Sequence, residues 1–227
     1  MIEPPRTEHE LAERARALTG KTLGELARVL GAALGDEGRR TKGKSGELVE
    51  RALGATGGSA RARDFPDLGV ELKTIPVDGA LVPRESTYVC TLPLEDADRA
   101  EWETSWVRAK LARVLWVPLV VPRADVPPAA RVVGAPLLWS PTREQDAILR
   151  HDFEEAVGAI ATGRVEELTA RTGRWLQVRP KAKDGSARTL AWGRDGARIA
   201  TTPRGFYLRA TFTAAILRDP CALPEAG

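Results

Sequence analysis

The stretch DFPDLGVELKT constrains the fold more than any other part of this sequence. Successive side chains of a β-strand point to opposite faces, so Leu68, Val70 and Leu72 would share one face, and Glu71 and Lys73 the other. The apolar face requires a hydrophobic core, whereas the charged face requires either water or a function. A solvated pair of opposite charges contributes little to stability, so the residue types alone leave both interpretations open.

Length and composition are those of a globular protein that can bury a core. The chain has 227 residues, of which 43% are hydrophobic and 29% charged, and it can form one large domain or two small ones. No apolar run is long enough to span a bilayer, and the N-terminal stretch MIEPPRTEHELAERA has no apolar signal core. We therefore expect a cytoplasmic protein that is not exported and has no membrane partner.

Cysteine and histidine are too rare to build a site from sulfur or imidazole. Cys90 and Cys221 lie far apart in sequence, which gives no disulfide framework and no thiolate zinc site. His9 and His151 each lie in charged, helix-like surroundings that are typical of surface residues. A metal ion would therefore be held by oxygen ligands, which favours magnesium, calcium or manganese over zinc.

The order of predicted elements indicates an α/β fold, with a mixed sheet and flanking helices in one compact unit. Capping boxes at Thr7 and Thr22 start the first two helices, Ser45 is a possible N-cap of the third, and Ser140 is the predicted N-cap of a later one. The predicted helices are 7–20, 22–35, 45–54, 140–161 and a short last helix. The predicted strands are 68–76, 86–92 and 174–180, with a short strand in 131–140. Residues 103–121 begin as a helix and end as a buried strand. A polar stretch follows residue 180, and residues 198–219 are predicted as a strand or loop that leads into the last short helix.

Five segments resemble, in order and spacing, the MutH family of DNA mismatch-repair endonucleases. They are DFPDLGVELKTIPVD (64–78), WETSWVRAKLARVLWVP (102–118), GAPLLWSP (134–141), LQVRPKA (176–182) and PRGFYLRATFT (203–213). Several segments at compatible spacing are far more specific than the short pattern Asp-x6-Glu-x-Lys. The resemblance implies a restriction-endonuclease-like fold, with a single endonuclease domain over residues 1–227 whose two lobes flank a DNA-binding cleft.

The resemblance also implies an active site. It places the family's acidic pair and lysine at Asp64, Glu71 and Lys73, a helical glutamate at Glu50 and a second active-site lysine at Lys110. The three carboxylates would hold Mg²⁺, with Mn²⁺ as a substitute and Ca²⁺ binding without turnover. Lys73 would orient the attacking water and stabilise charge, and Lys110 would contact the substrate phosphate or the nucleophile. The charged face of the predicted strand would then be a metal site.

Members of this family nick the unmethylated strand of GATC, so the resemblance implies residues that read or clamp DNA. Arginine can donate two hydrogen bonds to guanine O6 and N7, each such contact discriminating by about 1–3 kcal/mol, and Arg179 is the candidate. An aromatic ring beside adenine can sense an N6 methyl group by crowding, and Tyr207 is the candidate, unless it is a core tyrosine with a bonded hydroxyl. The matching family positions are Lys42, Gly43, Tyr88, Arg179, Pro180 and Tyr207.

Basic residues are clustered locally although the formal net charge is only +3. So small an excess permits nucleic-acid binding but does not by itself indicate it. The clusters GRRTKGK and RPKAKDGSAR are either solvated loops or phosphate contacts. Among the basic residues, Arg40, Lys44, Lys181 and Arg204 are better candidates for phosphates than for bases.

The implied partners are double-stranded DNA containing GATC and a MutL-type ATPase that relays mismatch detection from MutS. The C-terminal stretch LRDPCALPEAG departs from the family pattern. Pro220 and Pro224 interrupt an end that is usually helical and apolar in the family. The coupling to MutL is therefore less secure than the catalytic assignment.

Two other functions stay open at the level of sequence. A restriction endonuclease of the same fold would cut both strands of GATC, either by dimerising or through a second related domain. The chain has no second copy of the domain, which favours a monomeric nickase. A catalytically inert GATC-binding protein would bind without cutting, and the intact Asp64, Glu71 and Lys73 argue against it.

Overall fold

The computed structural model describes residues 2–34, 43–57, 62–123, 125–181 and 186–224. Backbone contacts divide the chain into two compact units, which are Met1–Arg84 with Ala112–Ser140 and Glu85–Leu111 with Pro141–Gly227. Both units combine helices with strands, so the predicted α/β class is confirmed. Among the helices in these ranges, none has the length and apolar character needed to cross a membrane.

The elements follow one another as helices and short strands. The helices are α1 (Glu8–Leu18), α2 (Leu23–Val29), α3 (Lys44–Leu53), α4 (Trp106–Leu111), α5 (Arg143–Ala161) and α6 (Ala210–Arg218). The strands are β1 (Glu71–Val77), β2 (Thr87–Thr91), β3 (Val114–Val120), β4 (Val132–Val133), β5 (Leu137–Trp139), β6 (Leu176–Pro180), β7 (Thr189–Trp192), β8 (Arg198–Thr201) and β9 (Arg204–Leu208).

The first unit packs α1, α2 and α3 against one face of a four-stranded sheet. β1 runs parallel to β3, and β3 pairs antiparallel with β4 and β5. In the parallel pair, Glu71 lies opposite Val114 and Lys73 lies opposite Trp116. Full burial of one aliphatic side chain stabilises a fold by about 1.5–3 kcal/mol. The core below the helices is built from such residues, among them Leu11, Leu23, Leu53, Leu72, Leu115 and Val117.

Threonine caps begin the first two helices, as the sequence predicts. Thr7 Oγ1 accepts from the N–H of Glu10 at 3.1 Å, and Thr22 forms a complete capping box with Glu25. Each cap satisfies an N–H group that has no partner inside its helix. In α1 the box is incomplete, because the Glu10 carboxylate accepts from the N–H of the residue before the cap.

Two predicted helix boundaries in the first unit are wrong. α2 ends at Val29 instead of continuing to about residue 35, because Gly31 turns the chain with φ 58°. α3 begins at Lys44 with Gly43 as its N-cap, so Ser45 lies inside the helix. Gly43 has φ 104°, a conformation that L side chains rarely adopt, and its missing Cβ rather than a capping hydroxyl allows the helix to begin there.

The helix predicted to begin after Ser140 begins later. Thr142 is the N-cap of α5 and forms a capping box with Gln145. Ser140 Oγ instead donates to the carbonyl of Ala112 at 2.7 Å. The capping-box pair explains the difference, because it satisfies two terminal groups reciprocally where a lone serine satisfies one.

β1 begins at Glu71, three residues later than predicted. Leu68 lies in a single 3₁₀ turn, and Val70 bridges back to Phe65. A tight turn therefore precedes the strand. Of the three residues predicted to form its apolar face, Leu68, Val70 and Leu72, only Leu72 lies in the strand itself. Alternation of apolar residues cannot distinguish a strand from a turn that leads into one.

The second unit contains an antiparallel sheet in the order β2-β9-β6 and a separate hairpin of β7 and β8. Aromatic rings form much of its core. Trp175 stacks on Phe212 with centroids 4.5 Å apart, and Phe153 lies 5.7 Å from Phe206. Such rings bury large apolar areas. The sequence predicts only a polar stretch where β7 lies and a strand or loop where β8 lies, so the hairpin itself was missed.

A buried carboxylate determines where β6 begins. Asp152 on α5 is 1% exposed and accepts from three successive backbone N–H groups, those of Arg174 (2.6 Å), Trp175 (2.7 Å) and Leu176 (2.8 Å). Three donors compensate the desolvation of the charge. The preceding Gly173 has φ 79°, and a Cβ there would lie 2.2 Å from the Leu176 carbonyl oxygen, so this turn requires glycine.

Side chains hold the C-terminal tail after α6. The buried Gln145 amide donates to the carbonyls of Pro220 at 3.0 Å and Ala222 at 2.9 Å. The Trp175 indole N–H donates to the carbonyl of Pro224 at 3.0 Å. The tail is therefore ordered without being helical, which agrees with the two prolines in its sequence.

Replacing Asp152 by asparagine should lower the free energy of unfolding by about 2–4 kcal/mol, because an amide NH₂ would face backbone donors and the charge would be lost. Urea unfolding followed by tryptophan fluorescence measures the change. The exposed Asp98→Asn is the matched control and should change stability by less than about 0.5 kcal/mol. Equal effects of the two substitutions would contradict the anchoring role of Asp152.

Candidate active site and nucleic-acid interface

Three predicted catalytic residues lie together in the first unit, at the start of β1. Asp64 Oδ2 accepts from the N–H of Leu72 at 2.7 Å, and Glu71 Oε1 accepts from Lys73 Nζ at 2.5 Å. Glu71 is 1% exposed and Lys73 is largely buried. The charged face of this strand is thus not a solvated surface. Burying two charges costs desolvation energy that their attraction does not reliably recover, so stability alone does not explain the pair.

Glu50 on α3 shares the electrostatic field of this cluster. The pKa of Glu50 is raised to about 7, chiefly by burial and then by the negative charge of Asp64; Lys73 lowers it, and Glu71 and Glu47 contribute smaller increases. Carboxylates that share a site cannot all ionise without cost. The cluster therefore holds more negative charge than its surroundings compensate, which a cation would relieve.

A glycine brings α3 close to β1. A Cβ on Gly46 would lie 3.3 Å from Thr74 Oγ1 on the strand and 3.7 Å from Glu50 Oε1. A larger side chain would therefore occupy the space beside the Glu50 carboxylate. Sequence reasoning did not include Gly46 in the site, although a glycine inside a helical pattern is itself a signal of close packing.

The types of donor at this cluster, rather than a preformed set of ligands, fit a cation that binds together with substrate. Within the described ranges, no three carboxylate, histidine or cysteine side chains are gathered closely enough to form a metal site alone. The contacts give the reason, since Asp64 is oriented by a backbone N–H and Glu71 by Lys73. Mg²⁺ typically takes one or two carboxylates and completes its shell with water and phosphate oxygens. The oxygen donors and the raised pKa of Glu50 fit such an ion.

The remaining residues predicted for the active site and the N-terminal basic segment lie in different parts of the chain. Lys110 lies in the second unit on α4, is 7% exposed, and has its Nζ 5.2 Å from the centroid of the Trp106 ring. Gly43 forms the start of α3. Lys42 lies outside the described residues.

Predicted DNA-contacting residues gather on one face of the β2-β9-β6 sheet, which we call the tyrosine face and define by Tyr88, Arg179, Lys181 and Tyr207. The two tyrosine rings meet edge to face, with centroids 5.3 Å apart. Lys181 Nζ lies 3.9 Å from the centroid of Tyr88, and Arg179 Cζ lies 5.8 Å from that of Tyr207. A cation above an aromatic ring is attracted electrostatically to the negative face of that ring. The face combines positive charge with rings, as nucleic-acid surfaces do.

Tyr207 is only partly buried, so the core-tyrosine interpretation is wrong. Desolvation raises its pKa, with a further contribution from Tyr88, while Arg179 opposes the rise. The phenol is therefore protonated at neutral pH and its O–H can donate. The Tyr88 hydroxyl lies 2.9 Å from Thr91 Oγ1, a hydrogen bond that fixes its ring.

Arg204 was predicted to contact phosphate, and this prediction is wrong. It is 6% exposed, donates to the carbonyl of Leu168 at 2.9 Å and pairs with Glu166 at 3.3 Å. The aliphatic part of an arginine side chain packs well in an interior when its guanidinium group is hydrogen-bonded. The sequence shows the charge of Arg204 but not the partners that allow its burial. Its neighbour in the β6–β9 register, Pro180, is exposed at the end of β6.

Gly205 is a second glycine beside a candidate site that sequence reasoning missed. A Cβ there would lie 2.9 Å from Tyr88 Cε2 and 3.0 Å from the carbonyl oxygen of Cys90. The register between β2 and β9 shifts between Tyr88 and Cys90, so the glycine faces an irregular part of the ladder. A glycine within a strand pattern is the signal that could have identified it.

Replacing Glu50 by glutamine should remove a pH dependence of stability. Because the folded state raises the pKa of Glu50 from 4.5 to about 7, it retains a proton that the unfolded chain releases between these values, and stability falls as pH rises through this window. Wild type should lose about 1–3 kcal/mol more than Glu50→Gln between pH 4.5 and pH 7. Urea unfolding in chelator measures this difference.

The exposed Glu155 lies on α5 and does not contribute to the pKa of Glu50, so it gives the control for this experiment. Glu155→Gln should retain the wild-type slope of stability against pH. A Glu50→Gln curve parallel to that of wild type would show that the Glu50 proton is not linked to folding.

Comparison with known proteins shows the family to which this chain belongs. Residues 53–152 match the sequence model of the family described as DNA mismatch repair enzyme MutH. The chain is 51% identical over 217 residues to the DNA mismatch repair protein MutH of Escherichia coli strain K12, a match that covers 96% of this chain and 94% of the relative. The proteins of the same name from Escherichia coli O9:H4 (strain HS) and O17:K52:H18 (strain UMN026) match with the same identity and coverage. The chain therefore belongs to the MutH family of DNA mismatch repair enzymes, which have a restriction-endonuclease-like fold.

Proposed function

We propose that this protein is an Mg²⁺-dependent endodeoxyribonuclease that nicks the unmethylated strand of GATC sites in methyl-directed mismatch repair. The observation that carries the proposal is the buried cluster at the start of β1. Asp64, Glu71 and Lys73 occupy it with Glu50 beside them, and burial and neighbouring charge raise the pKa of Glu50 to about 7. Perturbed carboxyl groups of this kind are concentrated at catalytic sites.

The three carboxylates would hold Mg²⁺, with Mn²⁺ as a substitute and Ca²⁺ binding without turnover. When bound, Mg²⁺ supplies positive charge that polarises the scissile phosphate and helps to ionise the attacking water. Asp64 is oriented for this role by the N–H of Leu72. Glu71 is held by Lys73. Glu50 would become a ligand once its carboxyl group loses its proton, and a bound cation favours that loss.

The lysines would act on charge and on water. Lys73 Nζ is tied to Glu71, so its ammonium group has a fixed position from which to orient the water and stabilise the charge that develops on phosphorus. Lys110 would contact the substrate phosphate or the nucleophile. Its ammonium group is largely buried, which strengthens its electrostatic attraction for an anion relative to that of a solvated lysine.

The tyrosine face would read the DNA. Arg179 would donate to O6 and N7 of guanine, and Tyr207 would sense a methyl group on adenine N6 by crowding. Tyr88, Pro180 and Lys181 would contact the substrate beside them, Lys181 through phosphate. Lys42 and Gly43 would clamp the DNA from the basic segment that leads into α3.

We further propose that the protein acts as a cytoplasmic monomer and that a MutL-type ATPase activates it after MutS detects a mismatch. The family membership supports this assignment. The tail that follows α6 is held by Gln145 and Trp175, so a partner that binds there meets an ordered, non-helical segment.

The Lys73→Ala variant should reduce nicking of a supercoiled plasmid with one GATC site by at least about 100-fold, because the ammonium group that orients water and stabilises charge is removed. Conversion to open circle should require Mg²⁺ and should fail on fully methylated plasmid. The exposed Lys21→Ala, which removes a lysine from the surface, is the matched control and should nick at the wild-type rate.

The same assay separates the proposal from its alternatives. Linear product that appears as fast as the nick would indicate a restriction endonuclease that cuts both strands. If no cutting occurs, even with MutL and ATP, while binding to GATC duplex persists, the protein is an inert GATC-binding protein. A Lys73→Ala variant that nicks normally would refute the assigned site.

Gly205→Ala should weaken binding to a GATC duplex about tenfold, which corresponds to about 1.4 kcal/mol. The new methyl group would displace the Tyr88 ring or the β2 backbone from positions 2.9 Å and 3.0 Å away. A Cβ added to Gly158 on α5 would have no heavy atom within 4 Å, so Gly158→Ala is the control for replacing a glycine by alanine. Fluorescence anisotropy gives both affinities, and unchanged binding by Gly205→Ala would contradict the role of Tyr88.

A further inference from the structure

Two polar side chains in the second unit are linked in a way that the proposed function does not explain. Gln177 in β6 is 4% exposed, and its Nε2 donates to Ser86 Oγ at 2.6 Å. Ser86 directly precedes β2, and its Oγ also accepts from Arg179 Nη1 at 3.3 Å. The hydroxyl oxygen therefore accepts two hydrogen bonds, one from each of these β6 side chains. A buried amide fixes the hydroxyl, and the hydroxyl holds the guanidinium group.

Strand geometry makes this arrangement rigid. Successive residues of a strand alternate between faces, so Gln177 and Arg179 share one face while Leu176 and Val178 are buried on the other. Gln177 also lies opposite Tyr207 in the ladder. Arg179 is thus held by the Ser86 hydroxyl on one side and lies over the Tyr207 ring at 5.8 Å.

Holding an arginine before it binds changes how well it discriminates between bases. The side chain has many rotamers, and presenting two parallel N–H groups to a guanine edge costs the freedom of most of them. A guanidinium group already held in place avoids part of this cost for guanine and cannot rearrange to suit another base. The bond to Ser86 is made by Nη1, and the planar fork has donors on its other nitrogens for O6 and N7.

We propose that Gln177 and Ser86 are positioning residues that orient Arg179 for base reading, and that they determine sequence specificity without touching the DNA. The inference rests on the proposed role of Arg179 in the function above. Gln177 anchors Ser86, and Ser86 transmits that position to the guanidinium group. Specificity then depends on the Ser86 hydroxyl group, although this group contacts no base.

The test compares the affinity of the full chain for a duplex with one GATC site and for a duplex in which that guanine is replaced by adenine. Ca²⁺ is present so that binding is measured without cutting. Ser86→Ala should reduce the ratio of the two affinities about fivefold to tenfold, by loosening one bidentate contact. Its affinity for the replaced duplex should not change. Ser86→Thr retains the hydroxyl and should restore most of the ratio, and the exposed Thr211→Ala is the matched control for loss of a hydroxyl.

A double-mutant cycle identifies the route of the effect. In the Arg179→Ala background, Ser86→Ala should cause no further loss of discrimination, because the group that Ser86 positions is absent. Gln177→Leu should match Ser86→Ala, and if it does not fold, as judged by its melting temperature, the Ser86 variants decide alone. Additive effects of Ser86→Ala and Arg179→Ala, or equal loss of affinity for both duplexes, would overturn the inference.

Failure of the inference and failure of the proposed function give different results. If wild type binds both duplexes equally, or if Arg179→Ala keeps the wild-type ratio, the base-reading role of Arg179 is refuted and the positioning role with it. If wild type discriminates through Arg179 while Ser86→Ala keeps the full ratio, the positioning role alone is refuted.

Discussion

Burial of charge at the start of β1 is the constraint on which the rest of the structure depends. Glu71 and Lys73 are bonded to each other inside a sheet, and the Glu71 backbone N–H donates to the carbonyl of Arg113 at 3.0 Å. Arg113 is itself paired with Glu8 at the beginning of α1. The position of the carboxylate is therefore set by the parallel neighbour and by a helix that packs on the same sheet. Removing one member of a buried pair leaves an uncompensated charge, so these contacts are mutually dependent.

Glu50 shows that this arrangement is not a minimum of electrostatic energy for the free protein. Burial and the charge of Asp64 hold its carboxyl group partly protonated near neutral pH, whereas a solvated glutamate would be fully ionised. Gly46 permits this approach of α3 to the strand, at the expense of helix propensity. Such local costs are typical of functional sites, where stability is exchanged for a geometry that substrate and cation complete.

The sequence predicted most elements because their signals are local. Thr7 and Thr22 cap helices by accepting from a backbone N–H three residues later, and the MutH-like segments placed Asp64, Glu71 and Lys73 on one stretch of chain. The helix and strand boundaries were missed for local reasons, but the wrong assignment of Arg204 and the missed contact of Gln177 have a non-local cause. Burial of Arg204 depends on Glu166 and on a carbonyl 36 residues away, and charge in a sequence carries no information about such partners. The link from Gln177 to Ser86 spans 91 residues, so no sequence window could have contained it.

The residues proposed to read bases and those proposed to cleave phosphate stand on different buried side chains. In the second unit, the tyrosine face stands on β6 and β9, whose inner side chains are buried, and Asp152 fixes the start of β6 through three backbone bonds. Residues proposed to read bases, such as Arg179, project from this sheet, so we expect a substitution there to alter discrimination without disturbing the side chains beneath it. The carboxylates at the start of β1 stand on the core of the first unit. The proposed base reading and the proposed phosphate chemistry therefore depend on different sets of buried side chains, and we expect substitutions in one set to leave the other function unchanged.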